Sequence, residues 1–499
     1  MSAKQEISVI WFKRDLRLRD HRPLAEAIRK GRPCLLLYVL EPSMQGAADW
    51  SLRHENFVMA SLAEMQHELQ QLGQELVMMK GEVLDCLNQI GEQYVIREIF
   101  AHQETGLRLS FERDKAVIRY CKADGIGLIE YRSHGVVRGL VTREKWKEEW
   151  EKLMSEDLAE PDLEALKTVS LPESIAIQKP DQGAFQPAGE RFGWRYLNSF
   201  FAGRIQNYNK HISKPTEGRK SCSRISPYLA WGNLSIRQVV HAILEREEQM
   251  PHRFQLNSFK SRLYWQSHFI QKLESEVRIE HENMNRGFDV IRNQVNPAYV
   301  EAWKKAETGI PLVDACMRCV METGYLNFRM RAMLVSFLTH QLYQPWQTGV
   351  HHLAKAFLDY EPGIHYCQFQ MQAGTTGVNT LRVYNPILQA QKQDPKALFI
   401  KKWLPELEKL PPAMAFNPGS MSPLEQQLYG FKLGKDYPRP IVDNEATAKY
   451  ARDSWHQTLR SEAVQQENIR ILLRHTVPNR EKAFSENIIN KKKREAQRK

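Results

Sequence analysis

GIPLVDACMRCVMETGYLNFRMRAML (309–334), a tryptophan at position 346 and FLDYEPGIHYCQFQMQAGTTGVNTLRVYNP (357–386) form the stretch around which the chain is organised. Leu312, Cys316, Cys319 and Val320 recur at helical spacing, Asp314 and Arg318 stand one turn apart, and Gly324 interrupts the run, so two successive helices are expected. Arg329 and Arg331 lie inside FRMRAMLVSFL, whose other residues read as buried. A guanidinium there needs an anion beside it. Asp359 and Glu361 in LDYEPG are the nearest candidates, and spacing alone leaves a structural core salt bridge and a functional pair equally open.

Working outward, 499 residues suffice for two or three domains. Seventy basic against 59 acidic residues give a net charge of +11, which favours polyanionic partners. The terminal KKKREAQRK reads as a solvated basic tail. No apolar run approaches the length of a membrane span and MSAKQEISVIWFKRD lacks a signal-peptide layout, so a cytoplasmic protein without membrane contact is expected. The seven cysteines (Cys34, Cys86, Cys121, Cys222, Cys316, Cys319, Cys367) are odd in number and scattered, which does not suggest a disulfide framework. Cys316 and Cys319 form a lone CxxC on a helix; without further ligands they read as buried small hydrophobes, and no metal is expected.

Residues 1–133 alternate two kinds of segment. ISVIWF, PCLLLYVL, ELVMMKG, VIREIFA and GLIEYR read as strands, and the segments between them are helical. This is the pattern of an α/β doubly wound parallel sheet. No GxGxxG follows the first strand; WFKRDLRLRDH stands there instead, readable as a polar loop whose arginines pair with neighbouring aspartates. Residues 134–189 read as an interdomain linker, acidic and proline-bearing from about Met154 to Gln186. An all-α domain is expected over 190–480, followed by the basic tail, 481–499. Within that domain, GRKSCSRISPYLAWGNLSIRQVVHAIL (218–244) sets Arg219, Lys220, Ser221, Ser223 and Ser226 before a proline-started helix. The pattern suits a phosphate, with simple N-capping as the plainer alternative.

WFKRDLRLRDH, TEGRKSCSRISPYLAWGNLS, TGIPLVDACMR, LDYEPGIHYCQFQ, RVYNPILQAQKQDPKALFIKKWLPEL and YPRPIVD, in this order across nearly the whole chain, resemble the cryptochrome/photolyase family. The resemblance implies an N-terminal antenna domain and a helical domain that holds FAD folded into a U. It implies that Ser223 and Ser226 contact the flavin pyrophosphate with Tyr208 beside them. It also implies that Arg331 pairs with Asp359 under the isoalloxazine, that Glu361 is a second acidic contact, and that His365 faces flavin N5. A histidine there can donate a hydrogen bond or exchange a proton near neutral pH, tuning the flavin radical.

The family's electron relay through three tryptophans is matched only at Trp346. Phe369 takes the flavin-proximal position and Asn293 the distal one, which leaves Tyr360, Tyr366 or Tyr384 as substitutes. In the lesion pocket, Arg262 and Gln266 replace the family's glutamate and arginine, Met371 replaces a stacking tryptophan, and Phe328 replaces an asparagine. Trp265 remains for stacking on a flipped base, with Arg262, Arg329 and Arg382 for phosphates or lesion carbonyls. The paired histidines associated with (6-4) photoproducts are absent. Glu104 or Glu112 is the candidate contact of a second, antenna chromophore, a folate; a deazaflavin or an empty antenna site is equally open. The expected function is light-driven repair of ultraviolet-damaged DNA, independent of sequence, by a monomer whose catalytic residues are His365, Trp265, Arg331 and Asp359; a cryptochrome-type photoreceptor is the alternative.

Overall fold

CLLLYVL (34–40) has no polar alternation, a composition that only a strand covered on both faces tolerates. In the computed structural model, which describes residues 4–247 and 251–476, this run is strand β2 and all of it is buried. It joins β1 (Glu6–Phe12), β3 (Leu76–Lys80), β4 (Val95–His102) and β5 (Gly127–Tyr131). The five make one sheet in the order β3-β2-β1-β4-β5, every neighbouring pair parallel. The order reverses between β1 and β4, so the carboxyl ends of these strands open a crevice, the usual binding place in such sheets.

Alternate residues serve two cores. Ile7, Val9, Trp11, Leu35 and Leu37 pack with Val83, Leu87, Ile90 and Val117 from the helices Val83–Gln93 and Arg108–Ala123. Ile10, Phe12, Leu36 and Tyr38 face the other way, against Phe57 and Leu62 of the helix Leu52–Gln71. That second core runs without a break into Leu197, Phe200, Tyr228 and Trp231 of the helical domain. One face of the sheet is therefore completed by the second domain.

WFKRDLRLRDH is the joint, and here the structure corrects the expected pairing. Its arginines turn to backbone carbonyls and to other segments rather than to the carboxylates of its own aspartates. Arg14 donates to the carbonyls of Ala230 and Tyr360 and lies 3.8 Å from Glu361; Arg17 donates to the carbonyl oxygens of Gly232 and Asp20. Asp15 instead accepts from His21 and His102, at 2.9 and 2.7 Å, and Asp20 accepts from Ser235 at 2.6 Å. Gly232 (φ +74°) lies where a Cβ would stand 2.2 Å from the Arg14 carbonyl oxygen, so only glycine fits this crossing.

The connection between domains is more ordered than its composition suggests. It contains a helix, Trp146–Ser155, whose Trp146, Trp150 and Met154 are buried in the shared core, and its later part lies along the sheet, Cys34 bridging to Thr168. Between Glu190 and His475 the regular elements of the described residues are helices, apart from an isolated bridge between Leu433 and Tyr437. Pro311–Thr323 ends at Gly324 (φ +67°), and Phe328–Ser336 and Pro362–Ala373 follow. Asp314 and Arg318 do not meet: Asp314 accepts from Thr308, Gly309 and Tyr437, and Arg318 pairs with Glu406 at 2.7 Å. Cys316 and Cys319 are buried and burial pushes both thiols up, Cys319 to about 11, so they pack as protonated apolar groups. The tail 481–499 and the last residues assigned to the helical domain lie outside the described residues. Among the described residues no helix is long and apolar enough to cross a membrane.

Candidate functional site

Arg331 projects from the helix Phe328–Ser336 toward the start of Pro362–Ala373. Its Nη2 donates to Asp359 Oδ2 at 2.8 Å, its Nε to the Leu326 carbonyl at 2.6 Å, and its guanidinium lies 4.0 Å from the centre of the Phe357 ring. Burial alone would raise the Asp359 carboxyl, but Arg331 and the Ser226 hydroxyl outweigh it and hold the group below the usual carboxylate value. Asp359 Oδ1 is buried and has no hydrogen bond among the described residues. A structural salt bridge has no use for a free, charged, buried oxygen, whereas a ligand donor aimed at it does.

The loop 219–226 approaches the same carboxylate. Ser226 is exposed and opens the five-residue helix Ser226–Ala230. That helix is too short to supply a dipole of consequence, so the expected anion site rests on side chains. Two arginines that sequence reading passed over supply the charge. Arg204 holds the loop by donating to the carbonyls of Lys220, Cys222 and Ser223. Arg224, in a left-handed conformation (φ +63°), stacks 3.6 Å from the centre of the Tyr325 ring and donates to Gln186 at 2.8 Å, leaving its buried Nε without a partner. Burial pulls both guanidinium groups down from their ordinary value, the mark of cations with too little counter-charge nearby. Ser223 is buried, and Tyr208 is buried against Phe200 and Phe259 beside Arg262. Asp359 Oδ1 and Arg224 Nε, both without a hydrogen bond among the described residues, and the Ser226 hydroxyl, which also interacts with the Asp359 carboxylate, form a donor and acceptor set that suits a flavin with its pyrophosphate.

Two expected contacts are engaged elsewhere. Glu361 caps Pro362–Ala373 through Gly363 N at 3.3 Å and turns its other oxygen to Arg14; burial pushes its carboxyl up to about 7, only partly offset by Arg14. It belongs to the domain joint. His365 is buried among Phe357, Tyr360, Tyr366 and Phe369. Burial pulls its imidazole down to about 4, so the ring is neutral at pH 7. Because Nε2 lies 2.9 Å from the Val350 carbonyl, the single proton sits on Nε2, and Nδ1 offers only a lone pair. Donation of a hydrogen bond by Nδ1, or proton exchange near neutrality, does not fit this geometry.

Trp265 is 40 % exposed and Phe328 47 % exposed. The helices that carry them, Arg253–Ser275 and Phe328–Ser336, both pack on Pro362–Ala373. Arg262 and Arg382 are exposed, and Arg329 is half-buried over the Tyr384 ring at 5.7 Å. Met371 is half-buried. Trp346 is buried, donates to Asn283 at 2.8 Å and stands edge-on to Tyr366, 6.2 Å between centres. Phe369 lies 4.9 Å from His365, and Asn293 is exposed.

A second site lies at the sheet crevice. A cavity of about 250 Å³ is lined by Trp11, Lys13, Glu104 and Arg113 of the sheet domain and by Trp231 and Tyr360 of the helical domain. Arg113 binds Glu41 at 2.9 Å and Glu104 at 2.6 Å, while Glu41 Oε2 and Trp50 Nε1 are buried without partners. Glu112, the other expected contact, is paired with Lys115 and exposed to solvent, away from this cavity.

Residues 8–147 match the family model described as DNA photolyase, and residues 259–457 match the one described as FAD binding domain of DNA photolyase. Among characterised relatives, a cryptochrome DASH from Synechocystis sp. is 28% identical over 470 residues, covering 87% of this chain and 95% of the relative. The deoxyribodipyrimidine photo-lyase of Escherichia coli is 26% identical over 458 residues, covering 87% and 95%. A bacterial class III photolyase from Agrobacterium tumefaciens superposes with a TM-score of 0.80 over 92% of this chain and 99% of its own, at 24% identity. An archaeal photolyase from Sulfolobus tokodaii, solved with two FAD molecules, gives 0.74 over 90% and 100%, also at 24%. These two likenesses concern the fold.

Proposed function

Because the chain belongs to the cryptochrome/photolyase family and its cofactor is FAD, we propose that it is a light-driven DNA lyase that splits ultraviolet-induced pyrimidine dimers. When bound, reduced FAD would supply the light-driven electron transfer that splits the dimer. The protein's own residues bind, orient and polarise. Arg331 and Asp359 would hold the polar edge of the flavin ring, with Asp359 Oδ1 as acceptor, and the Arg331 charge would favour an anionic ring. Ser226, Ser223 and Arg224 hold the pyrophosphate, with Tyr208 beside them. Neutral His365, its Nε2 held by the Val350 carbonyl, would offer Nδ1 only as an acceptor. Trp265 and Phe328 offer exposed faces for an extruded base pair, and Arg262, Arg329 and Arg382 hold the surrounding phosphates; the net positive charge adds affinity without sequence preference.

The observation that carries this reading is the unpartnered Asp359 Oδ1, in the turn before Pro362–Ala373, beside Arg331, whose helix also presents the exposed ring of Phe328. A second chromophore is assigned to the crevice cavity, where Glu41 Oε2 and Trp50 Nε1 stand ready as acceptor and donor; Glu104 acts through Arg113. Illumination of the reduced protein with oligonucleotides bearing one defined lesion tests the lyase reading: restored thymines are expected, and none with either lesion type overturns it. A photoreceptor without repair is the second reading, favoured by Met371 and Gln266 in the pocket and by relatives that carry both names.

A further inference from the structure

We infer that Tyr360, with Asp49 as its proton acceptor, is the residue that gives an electron to the light-excited oxidised flavin when the cofactor is photoreduced. The inference rests on the flavin being held by Arg331 and Asp359 as proposed above. Tyr360 is the next residue after Asp359, and its ring is buried 5.3 Å, centre to centre and edge-on, from His365. Its hydroxyl donates to Asp49 Oδ2 at 2.5 Å. Oxidising a phenol in an apolar interior is feasible when the proton can leave at the same moment, and a carboxylate at hydrogen-bond distance provides for that.

The neighbouring aromatic side chains lack this provision. Phe369 has no ionisable proton and is hard to oxidise. The Tyr366 hydroxyl is buried beside the Tyr360 hydroxyl and faces no carboxylate among the described residues, so its proton has no base to go to. Trp231 carries the Arg14 guanidinium 4.3 Å from its ring centre, which disfavours a cation radical there; the same guanidinium is 6.0 Å from the Tyr360 ring centre, where proton loss leaves a neutral radical. Trp346 contacts Tyr366, which contacts His365, with centres 6.2 and 5.7 Å apart. Asp49 lies in the sheet domain and lines the crevice cavity, so the donor pair exists only when the two domains are docked.

The step balances. Tyr360 loses one electron to the flavin and its phenolic proton to Asp49 Oδ2, leaving a neutral tyrosyl radical, a protonated Asp49 and a flavin one electron richer. A soluble thiolate then returns an electron to Tyr360, the proton comes back from Asp49, and a thiyl radical departs. Electron paramagnetic resonance of the illuminated, FAD-loaded protein is the test. A tyrosyl signal is expected, narrowed when the protein is grown on ring-deuterated tyrosine, together with an infrared band of protonated carboxyl that Asp49→Asn removes. Tyr360→Phe is expected to slow photoreduction by at least about tenfold, roughly 1.4 kcal/mol in barrier. Asp49→Asn, which keeps a hydrogen-bond acceptor but no base, is expected to slow it and abolish its slowing in heavy water. Photoreduction at the wild-type rate in either variant, or a tryptophanyl signal in its place, overturns the assignment. Repair by chemically reduced wild-type protein is scored separately, because failure there strikes the lyase reading and leaves the donor assignment standing.

Discussion

Replacing Asp359 by alanine separates a structural salt bridge from a ligand clamp. In the FAD-free protein the change strips Arg331 of its 2.8 Å partner while leaving the bond to the Leu326 carbonyl and the contact with the Phe357 ring. Breaking a buried pair by removing one partner costs about 3–5 kcal/mol. The Arg331 side chain is 25 % exposed and keeps two interactions, so a loss of about 2 kcal/mol is expected, on the order of 5 °C in Tm. Because Arg331 holds the Asp359 carboxyl below its ordinary 3.8, the pair's contribution is present above that value and is lost as the pH falls through the lower, folded-state value; the gap between wild type and variant should close there. With FAD bound, a clamp loses more. Oδ1 then holds a charge-assisted hydrogen bond to the ligand worth about 1.5–3 kcal/mol, and FAD should bind roughly tenfold to a hundredfold more weakly. Paired melting curves with and without FAD, and flavin retention through gel filtration, read both quantities. Equal destabilisation in the two states would show that Oδ1 touches no ligand and refute the reasoning.

Glu361→Gln tests the domain joint: with the wild-type carboxyl at about 7 folded against an ordinary 4.5, the burial cost is absent below 4.5 and complete above 7. Wild type should therefore lose up to about 3 kcal/mol relative to the variant as the pH rises through this window, read from denaturation midpoints. Gly232→Ala should destabilise the joint by about 3 kcal/mol or more in thermal melts. It places a Cβ 2.2 Å from the Arg14 carbonyl oxygen and 2.4 Å from the Asp15 Cα, at a φ of +74°. Trp265→Ala should weaken binding of ultraviolet-damaged DNA by about 1–3 kcal/mol while leaving flavin content intact, measured by titration against the undamaged duplex.

The five strands were legible because a parallel sheet covered on both faces demands unbroken apolar runs, and CLLLYVL or ELVMMKG can be little else. The linker helix Trp146–Ser155 was hidden by its charge, although Trp146, Trp150 and Met154 recur every fourth residue, and that was the available signal. Arg331 and Asp359 stood out because a guanidinium in an apolar run needs an explanation. Arg204 and Arg224 did not, since their roles depend on backbone carbonyls and on a left-handed turn that no spacing announces. Glu361 and His365 had the right identity for a flavin contact, but which neighbour a side chain turns to is decided in three dimensions: Arg14 claims the first, the Val350 carbonyl the proton of the second. The Tyr360–Asp49 bond joins residues 311 positions apart, and nothing local in either segment foretells it.

We propose that this chain turns light into repair of a pyrimidine dimer. The direct measurement is the yield of restored thymines from an oligonucleotide carrying a single defined dimer, incubated with FAD-loaded, chemically reduced protein, in the light and in the dark. Restoration that needs light and falls with Trp265→Ala is predicted. Equal yields in light and dark, or none with either a cyclobutane dimer or a (6-4) photoproduct, would contradict it.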